Sequence, residues 1–101
     1  MHPQEAFEQE ILEEIKISEP HLYKVLLLND DYSSMDFVIG VLMRIFHHSY
    51  EKAMEIMISV HEKGKGLCGI YTYEVAETKV AQVREMAKEA KFPLRAIMEE
   101  E

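Results

Sequence analysis

From Leu22 to Leu28 the chain reads Leu-Tyr-Lys-Val-Leu-Leu-Leu and then breaks off into Asn29-Asp30-Asp31. A run this short and this apolar, cut by a turn signal, is a buried strand, and the other elements have to be arranged so as to cover it. With 101 residues in all, the cover must come from a single domain with one modest core. A multi-domain enzyme with separate cofactor and substrate lobes is excluded.

The segments that follow supply that cover. Met35 to Phe46 is apolar nearly all round and is preceded by Ser33 with Asp36 three residues later, a capping-box-like start that predicts a central core helix. His47-His48-Ser49 ends it, and Ser49 is placed to cap a second helix from Tyr50 to Lys63, stopped by Gly64 and Gly66. Leu67 to Tyr73 alternates bulky and small residues around Gly69, which suits a strand with room for a bulge. Thr72 then stands before a third helix, in which Ala76, Val80, Val83 and Ala87 recur at spacings of four, three and four. Phe92-Pro93 breaks it, and Leu94 to Met98 returns as a last strand. The expected fold is α+β: one small domain of three antiparallel strands packed with three helices, in the order β-α-α-β-α-β.

Charge divides the chain. Nineteen acidic residues against eleven basic ones give a net charge of -8, the wrong sign for a nucleic-acid binder. Residues 1–20 carry six glutamates against Lys16 alone, and the chain closes on Glu99, Glu100 and Glu101, so the ends hold the acidity and the stretch between is neutral. Phe7, Ile11 and Ile15, four apart, make residues 1–20 a weakly amphipathic segment closed by Pro20. With so little apolar surface, this segment reads either as a mobile acidic arm that becomes helical on a partner or as a plain solvated helix, ahead of a folded domain over residues 21–101. No apolar stretch approaches the roughly 18 residues of a membrane span, the lone Cys68 cannot form an internal disulfide, and no secretion signal precedes the domain. A reducing cytoplasm is the expected location.

Three places bear on chemistry. Asn29-Asp30-Asp31 is either a turn, since Asn and Asp bond nearby backbone, or a cation site in which carboxylate and amide oxygens are held at a strand end. Met57, Val60 and His61 share one helix face, where the histidine is either a boundary residue or the rim of an apolar pocket with an adaptable methionine wall. His2, His21, His47 and His48 lack zinc-ligand spacing, so neither a metal nor another cofactor is expected. Cys68 lies inside a predicted strand, no GxSxG elbow is present, and Gly64-Lys65-Gly66 follows the end of a helix, where anions are disfavoured. Binding without chemistry is the leading class. The alternatives are a metal-dependent hydrolase using Asp30, Asp31 and His61, and a purely structural interaction domain.

Three motifs, Tyr23 to Tyr32 (YKVLLLNDDY), Val60 to Gly69 (VHEKGKGLCG) and Thr72 to Val80 (TYEVAETKV), resemble the bacterial ClpS adaptor family in order and spacing. The resemblance covers His21 to Met98, about four fifths of the chain. It implies an adaptor, not an enzyme, that recognises N-degrons. These are proteins whose first residue is bulky and hydrophobic (Leu, Phe, Tyr or Trp), and the adaptor passes them to the N-terminal domain of the ClpA unfoldase of the ClpAP protease. By resemblance, Asn29, Asp31 and His61 hold the free α-amino group with Asp30 in support. Met35, Val38, Met57, Val60 and Leu94, with Leu27 or Leu28, line the side-chain pocket, and Glu74 and Lys79 belong to the patch that docks on the unfoldase. Neither nucleic acid nor membrane is implied as a partner, and the expected state is a monomer. Two positions depart from relatives: Ser33-Ser34 replaces a common Thr-Pro beside the pocket, and Tyr73 replaces a small residue on the docking surface.

Overall fold

The structure, a computed structural model, describes residues 21–101 together with Ala6. The expectation of an acidic arm over residues 1–20 otherwise lies outside the described residues. Six elements follow in the expected order: β1 (Leu22–Leu28), α1 (Met35–Arg44), α2 (Tyr50–Lys63), β2 (Lys65–Thr72), α3 (Tyr73–Ala90) and β3 (Arg95–Glu100). The sheet order is β2-β1-β3 with both pairings antiparallel, so the most apolar strand is bonded on both edges. Val25 and Leu27 on one face of β1 are fully buried among Val41, Leu42, Val83 and Ala76 of the helix layer. Successive strand residues point to opposite faces, and this cluster fills the helix-facing side of the sheet. Among the described residues, no helix is long and apolar enough to cross a membrane.

The register of β1 against β2 slips between Val25 and Leu26, which face Gly69 and Leu67, so Cys68 is the extra residue of a bulge beside Gly69. A Cβ at Gly69 would collide with the Tyr71 hydroxyl, which covers that position. Gly66 is needed for a close approach, because a Cβ there would stand 2.7 Å from Val60 Cγ2 and 3.0 Å from the Ile56 carbonyl. It therefore belongs to β2 under α2, and Gly64 alone stops that helix, at φ 84.

The other differences from the sequence reading fall at element ends. Ser34, not Ser33, caps α1, its hydroxyl accepting from the Phe37 N–H. The helix closes at Arg44 instead of Phe46 because His47 turns left-handed at φ 58 and the His48 N–H returns to the Leu42 carbonyl at 3.2 Å. Ser49 caps α2 as expected, accepting from the Lys52 N–H. Thr72 occupies the N-cap of α3 without a side-chain bond, since it is also the last residue of β2. Leu94 lies just before β3, 3% exposed in the core, and the strand runs on to Glu100 by pairing with Tyr23.

A second tie holds the lower end of α1. The Lys79 ammonium donates to the Ile45 carbonyl at 2.6 Å and lies 5.8 Å from the Tyr71 ring centre. A cation on the open carbonyls of a helix C-terminus satisfies both the acceptor and the helix dipole. Lys79→Ala is therefore expected to lower unfolding free energy by about 1–2 kcal/mol. Urea denaturation checks this, and an unchanged midpoint would show that the contact contributes nothing.

Candidate functional site

The site is built where β1 ends. The Asn29 N–H donates to the Gly64 carbonyl at 2.9 Å, and the Gly64 N–H returns to the Val60 carbonyl at 3.0 Å. The end of the central strand is thus fastened to the end of α2, whose last turn carries His61. Asn29 and His61, remote in sequence, come to the same rim, and both are exposed.

Beyond Asn29 the chain turns sharply on Asp30. Its Oδ1 accepts from the Tyr32 N–H at 2.8 Å and from the Ser33 N–H at 2.7 Å, and this turn sets Ser34 in place to cap α1. Burial by itself raises the Asp30 pKa, but the Ser33 and Tyr32 N–H groups, with the Ser33 hydroxyl close by, outweigh burial and hold the carboxyl below the ordinary aspartate value. Oδ2 of Asp30 and the Ser33 hydroxyl are both buried and make no hydrogen bond among the described residues. Asp31 is exposed and makes neither a hydrogen bond nor an ion pair among the described residues. The two readings of the acidic turn therefore divide between neighbours: Asp30 braces the backbone, and Asp31 presents a carboxylate to solvent.

The residues expected to line the side-chain pocket lie in the core. Val38 of α1, Met57 and Val60 of α2, Leu94 and Leu27 are buried in the single core cluster, and Leu28 is half-buried. Met35, the first residue of α1, stands apart at 62% exposure. It is an exposed methionine at the edge of the turn. Glu74 and Lys79 are placed elsewhere. Glu74 is exposed in the first turn of α3, and the half-buried Lys79 is bound to the lower end of α1. Ten residues of α1 separate that end from the rim, about 15 Å at the helical rise.

Among the described residues no three His, Cys, Asp or Glu side chains converge into a set that could hold a metal ion. Asp30, Asp31 and His61 do not form the metal centre that a hydrolase would use. Sequence reasoning missed the bond from Asn29 to Gly64 and the anchoring of Lys79. The glycine after α2 was the available signal for the first, since a left-handed cap leaves its carbonyl pointing away from the helix.

A family model described as "ATP-dependent Clp protease adaptor protein ClpS" matches residues 18–97. The chain is 60% identical over 94 residues to the ATP-dependent Clp protease adapter protein ClpS of Wolinella succinogenes, covering 93% of this chain and 92% of that one. It is 56% identical over 90 residues to the protein of the same name from Campylobacter jejuni strain RM1221, covering 89% and 94% respectively. Among solved structures, Agrobacterium tumefaciens ClpS2 bound to L-phenylalaninamide superposes with a TM-score of 0.80 at 38% identity, over 82% of this chain and all of the other.

The Asp30 turn makes an acid-side prediction. Because its folded pKa is depressed, the stability it contributes is present above the unfolded value and is lost as pH falls through the folded one. Asp30→Asn keeps the Oδ1 acceptor and removes the titration. The stability gap between wild type and variant should therefore shrink between neutral pH and about pH 3. Urea midpoints at the two pH values test this, and a gap that is constant or widens would remove Asp30 from the acid response.

Proposed function

The chain belongs to the family of ATP-dependent Clp protease adaptor proteins ClpS, and from that premise we propose that it recognises N-degrons. It binds proteins that begin with Leu, Phe, Tyr or Trp and delivers them to the N-terminal domain of the ClpA unfoldase for degradation by ClpAP. The observation that carries this reading is the ligand of the ClpS2 structure. L-phenylalaninamide is a bulky hydrophobic residue with a free α-amino group and with its carboxyl blocked as in a peptide.

The rim suits that ligand. An α-ammonium has three N–H donors and one positive charge, and the Asn29 amide oxygen, the Asp31 carboxylate and a neutral His61 imidazole offer three acceptors, one of them anionic. Asp30 supports them by holding the turn, because its own Oδ1 is occupied by backbone donors. The first side chain then descends toward Val38, Met57, Val60 and Leu94. Met35 closes over it at the mouth, and a flexible thioether wall lets leucine and aromatic residues share one site. Glu74 is the exposed charge available to the unfoldase. Lys79 serves docking by fixing α1 against α3 at that end as much as by its own charge.

The test is a fluorescent peptide beginning with free Leu or Phe beside its N-acetylated twin. The free peptide should bind and the acetylated one should not, because acetylation removes the charge. Asp31→Ala or His61→Ala should each weaken binding by about 2 kcal/mol, roughly 30-fold in Kd, with the melting temperature near wild type. Undiminished binding by both variants would reject the clamp. Met35→Ala should admit Ile and Val at the first position, and an unchanged order among Leu, Phe, Ile and Val would make Met35 a bystander. Deleting residues 1–19 should leave peptide binding and the ternary complex intact while degradation of a Leu-initiated substrate stops. Glu74→Ala should weaken the ternary complex itself, so anisotropy with added unfoldase separates the two defects.

A further inference from the structure

A small cleft of about 160 Å³ lies between α3 and the edge strand β3, lined by Val80 and Arg84 of the helix and by Leu94, Arg95 and Ala96. Two of the chain's three arginines line it, and no carboxylate does. In a chain of nineteen acidic and eleven basic residues, this reverses the overall balance of charge. Both arginines are exposed, and neither makes a hydrogen bond or an ion pair among the described residues. The helix positions three and four away from Arg84 are Val80, Ala81, Ala87 and Lys88, so the one charge beside it on that face is a further cation.

The surrounding acids leave these charges free. Glu85 and Glu89 line a different groove, with Arg44 and Met86. Glu77 on α3 and Glu99 on β3 stand about 10 Å from Arg84 and about 13 Å from Arg95 along their elements, beyond the roughly 8 Å over which charges act at physiological salt. Asp30 and Asp31 follow Leu28, the register partner of Arg95, but Asp30 is engaged by the Tyr32 and Ser33 N–H groups and Asp31 forms no ion pair. A backbone donor joins the arginines. Because the Glu101 N–H bonds to the Leu22 carbonyl, alternation makes Leu28 and Arg95 a hydrogen-bonded pair and leaves Ala96, opposite Leu27, in a non-bonded one. The Ala96 N–H therefore points away from β1 at the outer edge of the sheet, where it makes no hydrogen bond among the described residues.

We propose that this cleft binds a phosphate dianion through Arg84, Arg95 and the Ala96 N–H. Its volume is below the roughly 300 Å³ at which pockets for drug-sized ligands begin, so a small ion or a single phosphoryl group is the occupant that fits. Guanidinium forks and a backbone N–H suit phosphate oxygens, and two positive charges match a dianion better than the single charge of a carboxylate. The apolar walls of Val80, Leu94 and Ala96 lower the local polarity and so strengthen the attraction. The site does not depend on the peptide-binding reading, with which it shares Leu94 alone.

The experiment is an NMR titration of the isotope-labelled full chain with inorganic phosphate, at neutral pH and fixed ionic strength, with acetate as the monoanion control. The Ala96 amide and the Arg84 and Arg95 Nε–H signals should shift together along one saturable curve, and acetate should bind about tenfold more weakly. Arg84→Gln and Arg95→Gln should each raise the Kd for phosphate about tenfold, the worth of one charge-assisted hydrogen bond. Both positions are exposed, so melting temperatures should stay near wild type, and Arg44→Gln should leave the titration unchanged. A parallel titration with glycerol phosphate separates the sources: equal affinity supports a phosphoryl group carried on a larger molecule, and weaker affinity supports the free ion. Shifts that grow without saturating, an equal response to acetate, a response centred on Arg44 and Lys79, or binding that survives both substitutions would each overturn the proposal.

Discussion

The pairing of β1 on both edges is the constraint from which the rest of the molecule follows. Because β2 and β3 consume the hydrogen-bonding groups of the strand on either side, its backbone is satisfied in the middle of the sheet without water. Val25 and Leu27 can then be fully buried. Only the two ends of such a strand remain for function. At one, the chain enters from residues 1–20, and at the other Asn29 emerges and is at once fastened to Gly64. Under the proposed function, a rim hung on the most constrained strand of the domain would be held before a ligand arrives, which spares the ordering cost that a loop site would incur.

Helix α1 is pinned at both ends by side chains that satisfy backbone groups. At its start, Asp30 folds the turn and Ser34 takes the Phe37 N–H. At its end, Lys79 takes the Ile45 carbonyl and His48 Nε2 stands 2.6 Å from the Cys68 carbonyl of β2. Helix α1 therefore stands as a rigid spacer between the Asp30 turn and the Lys79 contact. Under the proposed function, this separation would let a substrate and an unfoldase be held without sharing residues.

The element order was legible because each unit carries its own period: the continuous run at β1, the all-round apolar α1, and the single stripe of Ala76, Val83 and Ala87 on α3. The ends were less legible because they are decided by bonds between distant residues. Ser33 and Ser34 are equivalent in sequence, and only the Asp30 turn, which engages the Ser33 N–H, leaves Ser34 as the cap. Leu94 has the character of a strand residue, but after Pro93 it turns into the core before pairing begins at Arg95. At the site, the residue types were readable and their division of labour was not. Nothing in Asn29-Asp30-Asp31 says which carboxylate faces inward, a choice settled by the N–H groups of Tyr32 and Ser33. Likewise a lysine on the flank of α3 carries no mark that its ammonium caps another helix.

The acidity of the chain ends takes on a geometric meaning once β3 is in place. His21 stands 2.6 Å from the Glu100 carboxylate, and the Glu101 N–H bonds to the Leu22 carbonyl, so the three terminal glutamates sit at the root of the leading segment. Like charges close together repel within about 8 Å at physiological salt. Residues 1–20, with a net charge of -5, are attached at this acidic end of the sheet. That root lies at the opposite end of β1 from Asn29, roughly 20 Å along the strand. A pull on the leading segment would therefore load the strand lengthwise against the hydrogen bonds of both neighbours, while the rim at the far end is held by Gly64. Under the proposed function, traction and recognition would thus be coupled through the strand bonded on both edges.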